Sequence, residues 1–258
     1  MLRSLPLFAL VAGLGAADAS SYWVRVMPAA WSVTADGSVA YSEGGGTATR
    51  FDLEELDVDN RELAPMVDVQ VRFPVLFDIA VGGHRYATDG DATLTRSFTF
   101  GGITYNAAER VHTDVDLLDA YAEVLVRLPI PGDLVVAGLG LAGHYVGAEI
   151  EVTSQTSGQR ERLDEDLPIP AVAARVQLNL PASIGIEAAG HFLAIATDKA
   201  DGRFLDLRGQ VSWRPIPWLG LAAGYRYLSY GVAFETNDQD TDVDLTFAGP
   251  YAALVAQF

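Results

Sequence analysis

The chain has 258 residues, of which 50% are hydrophobic, and it carries a formal net charge of −17 with no cysteine. The absence of cysteine excludes disulfide bonds, a lipid-attachment cysteine and thiolate metal sites. A surface with this much negative charge repels phosphates, which excludes nucleic acid as a natural partner.

The amino terminus predicts an export signal. Arg3 gives a positive start, residues 5–16 form an apolar core too short to span a bilayer, and residues 17–19 (Ala-Asp-Ala) fit the small-x-small cleavage rule. We therefore assign residues 1–19 to a cleaved signal peptide and residues 20–258 to one domain. No other run is long and apolar enough for a membrane helix, so the exported chain either is soluble or crosses a membrane with strands.

Ten segments of alternating polarity follow the signal. They cover residues 22–33, 63–73, 75–86, 114–128, 133–148, 168–180, 183–196, 203–214, 218–231 and 245–258. Four short connections contain proline, and they lie at residues 72–77, 127–133, 179–183 and 214–218. Because proline cannot donate to a sheet ladder, each is predicted to be a turn. The other connections are 34–62, 87–113, 149–167, 232–244 and the short 197–202.

This arrangement predicts an all-β fold, a single antiparallel transmembrane β-barrel of ten strands. An even strand number, with both termini on the side of the short turns, is what a single-chain bacterial outer-membrane barrel requires. The short turns would face the periplasm, and the long acidic loops would be extracellular. Eight strands are an alternative if the first or sixth segment does not cross the membrane, and a periplasmic β-sandwich is another.

Each segment sorts its side chains by parity. In the second segment Val67, Val69 and Val71 share one face, and Asp68 and Gln70 share the other. The apolar face must contact lipid, because a charge there costs about 2–4 kcal/mol at the membrane midplane. The charged residues that then line the lumen are Arg25, Asp68, Arg72, Asp78, Asp119, Glu123, Arg127, Arg175, Glu187, Asp206, Arg208, Arg214 and Arg226. In so narrow a barrel we expect these charges to pair and to plug the interior, with a charged pore as the alternative.

Aromatic residues cluster at the predicted strand ends, where Trp and Tyr prefer the headgroup region. The predicted periplasmic belt contains Tyr22, Trp23, Phe73, Phe77, Trp213, Trp218 and Phe258. The predicted outer belt contains Tyr86, Phe98, Phe100, Tyr105, Tyr145, Phe192, Phe204 and Tyr230.

Three of the long loops carry most of the negative charge. In the last of them the carboxylates alternate and so share one face of an extended segment; they are Asp238, Asp240, Asp242 and Asp244. This row resembles the start of a calcium loop but lacks the glycine and bidentate glutamate of an EF-hand. Ca²⁺ or Mg²⁺ binding is one hypothesis, and a solvated rim without a ligand is the alternative. Residues 97–105 predict a hairpin, and residues 51–56 predict one helical turn.

The sequence offers no catalytic motif. The four histidines, which are His84, His112, His144 and His191, are scattered along the chain. His84 and His112 are predicted near the outer rim. There is no nucleophile elbow, phosphate loop or metal-ligand spacing. The chain is therefore not predicted to be an enzyme.

The last segment ends in a free aromatic residue, Phe258, which resembles the signal that outer-membrane barrels present to their insertion machinery. Three features resemble an uncharacterised family of Gram-negative outer-membrane β-barrel proteins: residues 52–56 (Asp-Leu-Glu-Glu-Leu) before the second strand, residues 224–226 (Gly-Tyr-Arg), and a last strand from Gly249-Pro250 to Phe258. The resemblance spans the mature chain. It implies a cell outer membrane location and the barrel fold, and it implies no activity.

The predicted function is that of a non-enzymatic outer-membrane barrel with a structural or surface-interaction role and a plugged lumen. A small cation-favouring diffusion channel and an outer-membrane hydrolase are the alternatives. The expected partners are outer-membrane lipid, lipopolysaccharide and, during biogenesis, the insertion machinery. We expect a monomer without a cofactor, apart from the hypothetical Ca²⁺ or Mg²⁺ in the acidic loops.

Overall fold

The computed structural model describes residues 22–43, 49–56, 61–74, 76–100, 102–196, 200–235 and 239–258. The predicted signal peptide, residues 1–19, lies outside the described residues. Within the described ranges no helix is both long enough and apolar enough to cross a membrane.

The described residues form thirteen strands in chain order. They are β1 (Val24–Glu43), β2 (Phe51–Asp52), β3 (Arg61–Arg72), β4 (Phe77–Thr93), β5 (Phe98–Phe100), β6 (Ile103–Tyr105), β7 (Arg110–Arg127), β8 (Val135–Ser154), β9 (Arg160–Leu180), β10 (Ile184–Ala196), β11 (Ala200–Ile216), β12 (Leu219–Glu235) and β13 (Gln239–Gln257). A short 3-10 helix, Leu53–Leu56, follows β2. All strands except β2, β5 and β6 form one antiparallel barrel, in which each pairs with its neighbour along the chain.

The barrel closes where β1 pairs with β13. At this seam the backbone N–H of Trp23 donates to the carbonyl of Phe258 at 2.6 Å, and the N–H of Phe258 donates to the carbonyl of Val24 at 2.9 Å. Ten strands surround the lumen, which confirms the predicted all-β, ten-stranded antiparallel barrel. The eight-stranded alternative and the β-sandwich are wrong.

At the end of the barrel opposite the short turns, the strands extend further into the predicted loops than the sequence suggested. β8 runs to Ser154 and β9 begins at Arg160, so most of the predicted loop 149–167 is strand. The predicted loop 87–113 is likewise strand at both of its ends. The loop assignment rested on charge, but charged residues of these segments such as Asp89, Asp91 and Asp164 lie on the outward face of a barrel that extends beyond its apolar surface.

The outward surface divides into two zones, which β7 shows most clearly. Its outward residues Leu118, Val124 and Val126 are exposed and apolar, and its earlier outward residue Asp114 is exposed and charged. From Leu118 to Val126 the strand rises roughly 21 Å at a tilt of about 40°, comparable with the apolar band of about 25 Å on outer-membrane barrels. We call this apolar band the belt zone. The charged band next to it, on the side of the long loops, is the outer zone.

The interior of the barrel has the opposite polarity in each zone: it is apolar in the outer zone and charged in the belt zone. In the outer zone of β7, Val111, Val115 and Leu117 face inward and are buried, whereas in the belt zone Asp119 and Glu123 do so. Apolar residues of the other strands complete the outer core. The outer zone therefore has the polarity of a soluble barrel, and the belt zone has the inverse polarity that lipid requires.

The predicted aromatic belts hold only in part. Trp23, Trp213, Trp218, Tyr145 and Phe192 are exposed on the outside. The predicted belt residues that instead lie inside the barrel are Tyr22, Tyr86, Phe98, Phe100, Tyr105, Phe204 and Tyr230. All of them except Tyr22 belong to the apolar core that fills the outer zone and requires large side chains there. Tyr22 lies at the turn end of the lumen, where its ring centroid is 4.3 Å from the Arg72 guanidinium.

Two short elements of the chain cover the loop end of this core. The predicted helical turn forms as the 3-10 helix, and the predicted hairpin forms from β5 and β6. The ring of Phe51 contacts those of Phe98 and Phe100 at centroid distances of 5.0 and 5.8 Å. The Tyr105 hydroxyl donates to the carbonyl of Val152 at 2.8 Å and ties the hairpin to β8. We call these two elements the cap.

Candidate functional site

The candidate site is the charged interior of the belt zone, where ten strands direct their alternate side chains into one narrow lumen. All thirteen predicted lumen residues lie on inward positions, buried or partly buried. Unpaired charges at such positions are costly, so the geometry of the pairs decides whether the interior is a pore or a plug.

Arg226 is fully buried at the centre of this interior. Its Nε and Nη2 donate to the two carboxylate oxygens of Asp206 at 3.0 and 2.9 Å, which is the bidentate geometry that binds a guanidinium most strongly. Its Nη1 lies 2.9 Å from His84 Nδ1, and its guanidinium lies 5.1 Å from the ring centroid of Trp31. Because arginine is only a donor, Nδ1 of His84 must be the acceptor.

Arg208 joins a second set of partners. Its Nη1 donates to Asp68 at 3.2 Å and to the Tyr121 hydroxyl at 2.8 Å, and Tyr121 in turn donates to Asp68. The Tyr121 ring also packs beneath the Arg208 guanidinium, with its centroid 4.9 Å away. The three side chains come from β11, β3 and β7, so they connect strands that are not neighbours.

Glu187 bridges two further arginines. Arg25 donates to one of its oxygens at 2.7 Å, and Arg175 lies 3.7 Å from the other. Arg175 also donates to Glu123. These contacts connect β1, β9, β10 and β7 across the lumen.

The turn end of the lumen carries an excess of positive charge. Asp78 lies 3.5 Å from Arg72 Nε and 3.3 Å from Arg127 Nε. Arg214 also faces inward there, and no carboxylate of the described residues lies within ion-pair distance of it. Arg127 has 23% of its side chain exposed, so water reaches this end of the lumen.

Two of the histidines, which looked scattered in the sequence, meet inside the barrel. His144 Nε2 lies 2.8 Å from His191 Nδ1, although the residues are 47 positions apart. His144 Nδ1 contacts Asp119 at 2.9 Å, and His191 Nε2 contacts Glu123 at 2.8 Å. The side chains of both histidines have no solvent exposure. Parity alone places both inward, but only the fold places them at the same height.

The other two histidines differ from each other. His84, expected near the rim, is instead buried beside Arg226. His112 lies on the outside of the outer zone, 3.1 Å from Asp91 and 3.5 Å from Asp114. Its pKa is lowered by partial burial but raised more strongly by the hydrogen bond to Asp91 and the charges of Asp114 and Asp89, so that it lies above the usual value.

The interior leaves little free space. A cavity of about 20 Å³ lies beside Asp68, Arg208 and Tyr251, and one of about 10 Å³ lies near Arg72 and Asp78. Each is about large enough for one water molecule. Above them the apolar core fills the outer zone. In the part of the chain that the structure describes, these interior cavities are too small to connect the two ends.

The acidic row on β13 lies partly within the described residues. Asp242 and Asp244 occupy outward positions of that strand, and Asp242 forms an ion pair with Arg50. Arg50 also donates to Ser38 at 2.9 Å. Asp238 lies outside the described residues, and so does the side chain of Asp240. One carboxylate of the row thus has an arginine partner.

Comparison with known proteins identifies the architecture. No protein-family model matches the chain, and no curated protein sequence matches it. Among solved structures, the outer membrane protease OmpT from Escherichia coli superposes with a TM-score of 0.58 over 92% of this chain and 97% of its own, at 7% identity. The fold is that of outer-membrane β-barrels. The predicted resemblance to small Gram-negative outer-membrane barrel proteins is confirmed at the level of the fold.

Two further solved structures match more loosely. Neisserial surface protein A aligns at 14% identity over 91% of this chain and 97% of its own, with a TM-score of 0.35. The attachment invasion locus protein Ail of Yersinia pestis aligns at 12% identity over 91% of this chain and 99% of its own, also with a TM-score of 0.35.

Proposed function

We propose that the protein is a monomeric, non-enzymatic barrel of the Gram-negative outer membrane, closed to solutes, which presents a charged outer zone to the exterior. The observation that carries this proposal is the double closure of the lumen. Paired arginines and carboxylates fill the belt zone, and an apolar core beneath the cap fills the outer zone. A diffusion channel would need a continuous water-filled path through both zones.

The location rests on the inverted polarity of the belt zone. Large exposed apolar side chains, such as Leu139, Leu141 and Val172, cover the outside of the belt zone. So much exposed apolar surface is unfavourable in water and is expected against lipid tails. The exposed carboxylates beyond it would face the outside, where they favour basic partners or cations bound to lipopolysaccharide.

The absence of an enzymatic role is supported by the placement of the histidines. His144 and His191 are enclosed, so a substrate cannot reach them without opening the barrel. His112 is accessible, and its described ring contacts are to Asp91 and Asp114, with no serine, threonine or cysteine nucleophile among them.

Conductance in planar bilayers tests the closed lumen. We expect the unmodified protein to give no steady current, because both zones are filled. Arg208→Ala, which faces the lumen, should give brief openings or lower stability, whereas Arg203→Ala, which faces outward on the same strand, should give neither. Heat-modifiable migration would verify that each sample is folded. A large, ohmic conductance of the unmodified protein would contradict the proposal and support the cation-favouring channel.

A further inference from the structure

The contacts of the paired histidines require one more hydrogen than two neutral imidazoles carry. Asp119, His144, His191 and Glu123 form a chain with three contacts of 2.9, 2.8 and 2.8 Å. Three such contacts need three hydrogens, but each neutral imidazole carries one. If both histidines donate to their carboxylates, then His144 Nε2 and His191 Nδ1 face each other with lone pairs. A cation between these two nitrogens resolves the conflict.

A third ligand lies beside the two facing nitrogens. Asp206 Oδ2 is 3.8 Å from His191 Nδ1, and the three donor atoms of His144, His191 and Asp206 all lie within 4.8 Å of one another. All three residues are buried. Two imidazole nitrogens and one carboxylate oxygen form a donor set that Zn²⁺ accepts in proteins.

The residues around this set have the arrangement that metal sites use to hold their histidine ligands. Asp119 contacts the outer nitrogen of His144, and Glu123 contacts the outer nitrogen of His191. Carboxylates in this position fix the tautomer, direct the other ring nitrogen at the metal and increase its basicity. The rings of Tyr121 and Phe204 lie 5.4 and 4.6 Å from that of His144 and exclude water.

The electrostatic surroundings also favour a cation. The ionic groups of the central network are Asp68, Asp119, Glu123, Glu187 and Asp206 with Arg25, Arg175, Arg208 and Arg226. Five carboxylates face four arginines, so this group has one negative charge in excess. At the turn end Arg72 and Arg127 lie with Asp78, and none of the described ion pairs joins Arg214 to these five carboxylates.

We propose that His144 Nε2, His191 Nδ1 and Asp206 Oδ2 form a buried site for an imidazole-preferring transition-metal ion of the Zn²⁺ class. The ion would link β8, β10 and β11 through their side chains inside the barrel. With bonds of about 2.0–2.1 Å in tetrahedral geometry, the two nitrogens would move apart to about 3.3 Å. Because the ligands are enclosed, the ion enters while the barrel folds and does not exchange afterwards.

Metal retention after refolding tests this site. The full mature chain is refolded into detergent with one equivalent of Zn²⁺, treated with a chelator, desalted and assayed by elemental analysis. We expect close to one zinc ion per chain when zinc is present during refolding, and none when it is added to protein already folded. The loaded protein should also melt at a higher temperature.

Matched variants distinguish this site from adventitious binding. His144→Gln and Asp206→Asn should lose the retained zinc, and His112→Gln, which alters an exposed histidine of the outer zone, should keep it. If a ligand variant does not fold, the unmodified chain refolded with Co²⁺ gives a second measurement. Visible absorption bands of tetrahedral intensity would support the site.

Three results would overturn the proposal. They are a native-like refolded chain that retains no zinc, equal retention by the folded ligand variants, and cobalt spectra of the aqueous ion. The first result would assign the missing positive charge to a third proton shared by the histidine chain.

Discussion

Arg226 has more partners than any other arginine described in the lumen, and its removal has a predictable cost. Arg226→Ala leaves Asp206 and His84 without their donor in a buried site. Removing one member of a buried ion pair typically costs about 3–5 kcal/mol, because the other charge remains unpaired. We expect a loss of that size in the free energy of unfolding, measured by urea titration in lipid vesicles.

A double variant checks the cause of that loss. Asp206→Leu together with Arg226→Met removes both charges and should recover part of the stability, since no charge is left alone. A double variant as unstable as the sum of the two single variants would show that packing, and not pairing, dominates at this position.

Two glycines of neighbouring strands test the packing of the tyrosine rings. A Cβ at Gly224 would lie 2.6 Å from the Tyr251 ring and 2.4 Å from the carbonyl oxygen of Gly209, whereas one at Gly209 would meet nothing within 4 Å. We expect Gly224→Ala to cost about 1–3 kcal/mol through overpacking, and Gly209→Ala to change stability by less than about 0.5 kcal/mol. Equal effects in urea unfolding would contradict this assignment.

His112 gives the outer zone a dependence on pH. Because its pKa is raised by Asp91, Asp114 and Asp89 despite partial burial, the protonated form stabilises the folded state. This contribution is fully present below the unfolded pKa of about 6.5 and is lost as the pH rises through the higher folded value. Its neighbour on β8, Thr153, does not titrate. The effect should be small, since the side chain is one-third exposed.

The measurement is the melting temperature between pH 6 and 8. We expect a gradual decrease for the unmodified protein, and a flatter profile for His112→Gln. His84 and the buried histidine pair are unchanged in that variant, so an identical profile would assign the pH dependence to them.

At the scale of elements, the carboxyl-terminal strand has two separable roles. The backbone of Phe258 closes the seam with Trp23 and Val24, whereas its side chain is exposed. Deleting Phe258 removes both the seam hydrogen bonds and the aromatic ring, and Phe258→Ala removes the ring alone. We expect both changes to lower insertion in cells, since the ring is the proposed recognition feature.

Refolding in detergent separates the two roles, because no insertion machinery is present. Phe258→Ala should refold with normal yield and heat-modifiable migration, and the deletion should be less stable by the lost hydrogen bonds, each worth about 1 kcal/mol. Normal insertion of Phe258→Ala in cells would contradict the proposed role of the terminal aromatic.

At the scale of the whole molecule, the outward surface of the barrel faces lipid in the belt zone and water in the outer zone. On the outward face Val124 lies in the belt zone and Asp89 in the outer zone. Val124→Arg should cost about 2–4 kcal/mol in lipid vesicles, the usual cost of a basic residue near the midplane. Asp89→Arg should be neutral or slightly stabilising, because Asp89 lies opposite Asp114 and the like charges repel.

The comparison with detergent micelles provides the control for solvent. The cost of Val124→Arg should fall there, because a micelle deforms around a charge more easily than a bilayer does. Similar costs for both variants in vesicles would show that the height assigned to the belt zone is wrong.

The sequence by itself favoured ten strands over eight, and it predicted the turns and the parity of the lumen residues. Strand alternation and proline placement are local properties, and lipid permits only one orientation of faces such as those of Val67 and Asp68. The sequence showed His144 and His191 only as two of four scattered histidines. It could not place them together, because their heights depend on the stagger between strands.

Only the tertiary structure decided where the membrane ends and what fills the barrel beyond it. Alternation in β7 continues unbroken through Leu117 and Leu118, so the change from water to lipid around the barrel leaves no break in the pattern. The charge of Asp89 and Asp91, which lie on β4, therefore resembled that of a loop. Contacts between distant strands, such as those of Arg226 with Asp206 and His84, follow from closure of the barrel, which no local segment specifies.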